Sequence, residues 1–459
     1  MSHENAAALE KEPVGGLLLR YSMPAIAGMV VFSLYNIVDS VFIGRWVGPL
    51  ALSGLAVAFP VMNLTFAFGM LVGIGGASIC SIRMGRKDMD GAARALGNVV
   101  VLNLVASLLF GLLCLAFIDP ILLAFGASAD TLAHAGDFMR VILLGLPFTY
   151  TMFNLNHVMR ASGYPRKAML SAVVTVGFNI ALAPLFIYLL GWGMRGAALA
   201  TVLSQGMGML WVLRHFRDRE SALHFQPGIY RLRADVLRGI LSIGLSPFLM
   251  NVCACAVVAL INIGLGRYGG DLAVGAYGVI NRVLMMFVMI LMGLTQGMQP
   301  IVGYNYGAKR MERVRQALRY GVIAGVSIAT FGFLAAECFP RFISSLFTDD
   351  AVTIDFATTG MRLSALVFPL VGCQIVIINF FQSIGRAKLS IFLSLTRQLL
   401  FLIPGLILFP RFWGLNGIWI SIPAADVLAF VTCMGVFAMF RREIRPSGNG
   451  AAAGQKEQT

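Results

Sequence analysis

Apolar residues in this chain run continuously; they neither alternate with polar ones nor recur every three or four positions. Runs long enough to cross a bilayer as a helix, about 20 residues, fall at 17–43, 50–78, 95–117, 137–160, 166–190, 195–216, 238–264, 272–300, 317–339, 360–384, 388–409 and 414–440. Short stretches with Pro, Gly or charged residues separate them. The pattern predicts an all-α membrane protein with twelve transmembrane helices.

The chain also repeats itself. Gly44-Arg45 recurs as Gly266-Arg267, Ala95-Leu96 as Ala317-Leu318, Met139-Arg140 as Met361-Arg362, and Pro147 and Gly163 as Pro369 and Gly385, all at an offset of 222. Gly193 and Gly196 recur as Gly414 and Gly417 at 221. Two lobes of six helices follow, at 17–216 and 238–440. An even number of spans gives both lobes the same orientation, so the repeat axis runs along the membrane normal, as in several transporter folds. A cytoplasmic tail over 1–16, a basic linker over 217–237 and a second cytoplasmic tail over 441–459 complete the expected domains. Met1 to Pro13 lacks the basic start and short apolar core of a signal peptide and reads as a solvated tail.

Composition agrees: 58% of the 459 residues are hydrophobic and 12% charged, against about 25% charged in soluble domains. The net charge of +14 could suggest nucleic acid, but its distribution argues for topology. With both termini in the cytoplasm, Arg45, Arg140, Arg195, Arg267, Arg341, Arg362 and Arg411 lie outside and Arg282 and Arg397 within spans. Every other Lys and Arg lies inside, the bias of an inner-membrane protein. The seven cysteines sit in or beside apolar runs, which argues against a disulfide framework. No metal site, cofactor or phosphate-binding loop is expected. Gly73-Ile74-Gly75-Gly76 lies within a span and reads as helix packing.

Asp39, in the first span, stands out. A carboxylate at membrane depth costs about 2.5–3.5 kcal/mol on insertion scales, so it marks either a proton or cation site or a carboxylate bonded to a neighbouring helix. Tyr35 shares its helix face, and Pro24 can kink the same helix. Asn179 on the fifth span could bond Asp39 or simply join helices. Thr201 on the sixth is a weaker candidate, since threonines often bond back to their own helix. Arg397 and Asp426 suit a structural ion pair between the last two spans, with Arg282 a competitor for Asp426. His157 reads as structural. Met285, Met286, Met289 and Met292 read as core, or as a pliable wall for varied substrates.

Together the spans, the repeat, the segments Asp39 to Arg45 and Asn179 to Thr201, Gly303-Tyr304-Asn305-Tyr306-Gly307 and Arg195-Gly196-Ala197-Ala198 resemble the multidrug and toxic compound extrusion (MATE) family, above all its DinF/MepA-like branch. The resemblance covers roughly 15–445. It implies that Asp39 titrates or helps bind a cation in an N-lobe cavity with Tyr35, Asn179 and Thr201, and that the first helix bends at Pro24. Family members often carry Asn-x-x-x-Asp-Pro on the fifth helix, where this chain reads Asn179-Ile-Ala-Leu-Ala183-Pro184. One carboxylate fewer favours protons over sodium as the coupling ion. The acids that NorM-like members carry on the seventh span are also missing from Leu241 to Gly264.

The resulting expectation is a monomeric, proton-coupled efflux antiporter for small amphipathic or cationic compounds, and not an enzyme. One rival is a lipid-linked saccharide flippase of the wider superfamily, which needs several cations in its cavity; only Arg282 and Arg397 are available. Sodium coupling is another. A membrane-embedded enzyme would need a catalytic or metal-ligating cluster within the spans, and none is visible.

Overall fold

The computed structural model describes residues 8–348 and 350–444. Residues 1–7 and 445–459 of the two expected tails, and Asp349, lie outside the described residues. Among the described residues every regular element is a helix. In the first half these are α1 (Val14–Trp46), α2 (Pro49–Gly85), α3 (Met89–Ala116), the short α4 (Ile118–Ala124), α5 (Ala129–Leu144), α6 (Leu146–Ala161), α7 (Pro165–Pro184, continued by a π-turn over Leu185–Leu189) and α8 (Gly193–Arg217). The second half holds α9 (Ala234–Gly270) and α10 (Leu272–Gly307). It continues with α11 (Met311–Cys338), the short α12 (Pro340–Ser345), α13 (Ala351–Ala365), α14 (Phe368–Ser383), α15 (Ala387–Leu395, continued by a π-turn over Thr396–Leu402) and α16 (Ile403–Ile444).

Among the described residues nine helical stretches are long and apolar enough to span a membrane, and the bent pairs α5–α6 and α13–α14 bring the number to 11. The stretch Ala387–Phe440 has 54 residues and breaks at Gly414, where φ is 54°. At about 20 residues per crossing it spans twice, which completes twelve. The runs 137–160 and 360–384 are therefore not single straight helices. Their halves meet at 57° and 51°, just before Pro147 and Pro369, whose rings and missing N–H groups prevent a continuous turn.

The repeat is written into the backbone. Lys87 and Lys309, the two non-glycine residues of positive φ among those described (62° and 59°), are 222 apart. So are Gly48 and Gly270 (122° and 70°) and Gly163 and Gly385 (102° and 78°), while Gly193 and Gly414 (52° and 54°) are 221 apart. A left-handed turn ends the same helix in each lobe, and glycine adopts it without a Cβ clash.

Three apolar cores organise the molecule. One lies wholly within the N-lobe and includes Ile43, Phe138, Tyr150 and Ala197. A second lies wholly within the C-lobe and includes Ile261, Leu291, Met361 and Trp419. The third draws on both lobes, with Leu17, Met84 and Leu96 packed in one cluster with Ile301, Phe381 and Phe440. It sits at the end that bears the Lys- and Arg-rich loops, called here the basic end. There the lobes touch by direct backbone approach: a Cβ added to Gly75 would lie 2.0 Å from the Ile240 carbonyl, and one on Gly297 would lie 2.5 Å from the Ser22 Cα. Gln299 Nε2 donates to the Ile74 carbonyl (3.2 Å) and Ser78 Oγ (2.7 Å). Ser22 Oγ donates to the Leu294 carbonyl (3.2 Å), and Arg160 donates to Gln296. Among the described residues, hydrogen bonds between the lobes stop at about the level of Met70 and Asn251. Among the described residues the lobes are therefore joined at the basic end, while each of the other two cores stays within one lobe.

One expectation changes at this end. Residues 8–12 are not a solvated tail. Leu9 is fully buried in the shared core, and its carbonyl accepts from Asn305 Nδ2 and from Arg313 (both 3.1 Å). An apolar side chain beside a lobe interface gains more by packing than by hydration. The linker is also pinned: Leu223 and Ile229 are buried, and Asn98 bonds the Arg231 carbonyl and the Arg233 N–H (3.2 Å each).

Candidate functional site

α1 carries Asp39 and Tyr35 one turn apart, so both project to one side of that helix. The structure packs that side against α7 and α8, bringing Asn179 and Thr201 alongside. All four are buried: Asp39 is 6% exposed, Tyr35 9%, Asn179 1% and Thr201 3%. Thr201 Oγ1 is the hub. It lies 3.1 Å from the Ala197 carbonyl, 3.0 Å from the Tyr35 hydroxyl and 3.4 Å from Asn179 Nδ2. A threonine hydroxyl has a single proton. The carbonyl can only accept it, so Thr201 must accept from both Tyr35 and Asn179.

The Tyr35 hydroxyl and one of the two Asn179 N–H groups are directed at Thr201, whereas Asn179 Oδ1 and Asp39 Oδ1 are buried without a hydrogen-bond partner among the described residues. Unpaired buried acceptors are costly. The cluster therefore holds two buried oxygens, one from a carboxylate and one from an amide, with no donor bonded to either. Asn179 reaches Thr201 and not Asp39, so of the two sequence-level alternatives for this amide, a direct bond to the carboxylate is not formed.

Pro24 lies on the same helix, and α1 continues through it as a single element in this conformation. Beside Tyr35 stands an aromatic group that sequence reading missed. Phe32 packs on Tyr35 (centroids 5.8 Å apart), on Phe66 (6.4 Å) and edge-on to Phe153 (5.6 Å), and all three phenylalanines keep part of their surface exposed. The spacing of Phe32 and Tyr35 was the available signal; that α2 and α6 supply the other rings required the fold. In the C-lobe, Arg397 Nε bonds Asp426 Oδ1, while Arg282 is exposed and makes no pair with Asp426 among the described residues. Met285 and Met286 are exposed as well (43% and 53%) and are not core residues. His157 is half-buried beside Arg160.

The pattern of the MatE family matches residues 24–185 and again 247–407, one match per lobe. The chain belongs to the MatE family. Among curated relatives of this MatE protein, multidrug export protein MepA of Staphylococcus aureus (strain N315) is 25% identical, over 96% of this chain and 97% of its own. Its counterpart from Staphylococcus haemolyticus (strain JCSC1435) is 26% identical over the same shares. Among solved structures, the MATE multidrug transporter DinF-BH is 36% identical, covers 94% of this chain and 96% of its own, and superposes with a TM-score of 0.86. A MATE family transporter of the MOP superfamily in an outward-facing conformation shares the fold, with a TM-score of 0.91 over 97% of this chain and 99% of its own at 24% identity. The chain is thus a multi-pass membrane transporter with the two-lobe fold of its family.

Proposed function

We propose that this protein is a secondary active multidrug exporter of the inner membrane that exchanges protons for amphipathic or cationic compounds. The observation that carries the reading is the buried Asp39 carboxylate, set with Asn179 Oδ1 among acceptors that lack donors. Protonation supplies the missing donor and removes the charge in one step. Loss of the proton restores a carboxylate that attracts a cation, and Phe32, Phe66 and Phe153 offer aromatic faces to one. The relatives named as multidrug export proteins support drug efflux. Sodium is disfavoured because its oxygen donors here would include a single carboxylate, with Ala183 where a second would help.

Positive-inside bias places the basic end in the cytoplasm. On that orientation the conformation described is outward-facing, and transport requires the shared core to open while the outer halves close. Pro24 is the proposed bend point of α1, since its missing N–H leaves one carbonyl of that helix free to tilt.

Drug-driven proton flux in proteoliposomes, with sodium varied, tests this. The wild-type protein should acidify or alkalinise the lumen in step with drug movement, at equal rates with and without sodium. Asp39→Asn should abolish coupled export while leaving insertion and melting unchanged. Sodium-driven export without a pH gradient, or active export by a well-expressed Asp39→Asn protein, overturns the assignment.

A further inference from the structure

A depression of about 440 Å³ opens at the basic end where the two lobes meet, apart from the Asp39 cluster. Its walls come from matched positions of the repeat: Gly85, Arg86 and Lys87 from the N-lobe, and Gly307, Ala308, Lys309 and Arg310 from the C-lobe. Neither glycine can carry a side chain here. A Cβ on Gly85 would lie 1.9 Å from the Tyr304 carbonyl, and one on Gly307 would lie 2.1 Å from that of Ile82. The lobes are thus in backbone contact, and the cations that follow each glycine are drawn to one place.

Charge does not balance in this depression. Among the described residues Glu10 is its one acidic wall residue. That carboxylate is already bonded by Arg310 and by the Tyr304 hydroxyl (3.3 Å). Asp88, just beyond the rim, pairs with Arg83 (3.7 Å). Arg86, Lys87 and Lys309 make no ion pair among the described residues. A single lysine at each helix end would suffice to complement the helix dipole. Three unpaired cations from two lobes around one hollow repel one another unless an anion joins them. Lys87 and Lys309 also hold the left-handed backbone that glycine favours at a helix end, so each lysine costs conformational energy that its ammonium must offset.

We propose that this depression binds a phosphate group, from a lipid headgroup or from free phosphate, with Arg86 and Lys87 of the N-lobe and Lys309 of the C-lobe as its ligands. The anion bridges the lobes, so it is held only while the basic end is closed. The inference is independent of the coupling ion proposed above, since none of these residues lies near Asp39.

The test uses the full chain in a neutral detergent and in nanodiscs. Inorganic phosphate is titrated calorimetrically, and retained lipid is weighed by native mass spectrometry from discs with and without phosphatidylglycerol. The variant R86Q/K87G/K309G removes the three charges while giving both left-handed positions the residue they favour, so it should melt no lower than wild type. A basic group near an anionic surface contributes about fivefold in affinity, so the triple variant should bind about a hundredfold more weakly. Loss of phosphate binding identifies a free anion as ligand. Loss of phosphatidylglycerol retention alone identifies a headgroup. R86Q/K87G and K309G should each weaken binding; an effect confined to one lobe overturns the bridge. No binding by the wild type, equal binding by the triple variant, or an equal loss in the linker control R217Q/R219Q overturns the site.

Discussion

Adding one methyl group to Gly75 or to its repeat partner Gly297 should open the basic end. A Cβ on Gly75 would sit 2.0 Å from the Ile240 carbonyl of α9, whereas real contacts begin near 3.0 Å. α2 and α9 must therefore part by about 1 Å, and the obstacle is backbone, which cannot rotate aside. Gly297→Ala presses on the Ser22 backbone of α1 in the same way. Overpacking of this kind costs about 1–3 kcal/mol. These contacts exist only while the basic end is closed, so the cost falls on that state and not on its alternative. The ratio of closed to open should fall about 5- to 150-fold. Because transporter states typically differ by only a few kcal/mol, such a change is visible. Spin labels at Asp90 and Glu312, exposed and equivalent in the repeat, would report the separation in a cysteine-free background. Each alanine should add a population at longer distance, and the double variant more. Gly435→Ala, where nothing lies within 4 Å, should change nothing. Unchanged distances in Gly75→Ala and Gly297→Ala, whatever happens to melting, would refute docking by close backbone approach.

Arg397→Ala and Asp426→Ala should each lower the melting temperature more than they change the range of drugs exported. Loss of one partner from a buried pair costs about 3–5 kcal/mol. With the Arg397 side chain 30% exposed, the lower end applies. The double variant should recover part of the loss, and additive losses would show that the two do not interact. Asp350 caps α13 by accepting from the Thr353 N–H (2.8 Å) and hydroxyl, bonds that hold its carboxyl below the ordinary aspartate range. Its folded-state value is depressed, so the stabilisation is present above the unfolded value of about 3.9 and fades as pH falls through the folded one. Hydrogen-exchange protection in the first turn of α13, taken relative to the intrinsic rate at each pH, should fall on that descent, and Asp350→Ala should lack that protection at every pH. For a monovalent cation exchanged against one proton no net charge moves, so nigericin-type collapse of the pH gradient should stop export. Valinomycin-type collapse of the voltage should leave it nearly intact; strong voltage dependence would refute one-for-one exchange.

Much of this architecture was legible from apolar run length and from the 222-residue repeat, because a bilayer imposes a fixed helix length and duplication preserves left-handed helix ends such as Lys87 and Lys309. The bends at Pro147 and Pro369 were less legible, since each pair of half-helices reads as one apolar run. Asp39 announced itself by the cost of a carboxylate at depth. Thr201 did not, because a threonine bonding back to its own helix and one receiving bonds from two others have the same sequence. Phe66 and Phe153 were invisible for a similar reason: apolar residues on apolar helices carry no mark of which neighbour they meet. Leu9 was misjudged because a short polar segment gives no hint that its one leucine completes a core.

The three cores also bear on how the protein is made. Each outer core is closed within its own lobe, so the N-lobe can finish that half as soon as α8 has left the ribosome. The shared core cannot close then. It waits for Phe381 and Phe440, whose rings meet edge-on with centroids 5.2 Å apart, and for Cys433 on the same last helix. Until the final span inserts, the basic ends of the earlier helices present an unfinished apolar face at the membrane surface, the kind of exposure that invites misassembly. Chains cut short before Cys433 should therefore be cleared by quality control, whereas chains ending just beyond Phe440 already contain every described residue of the shared core.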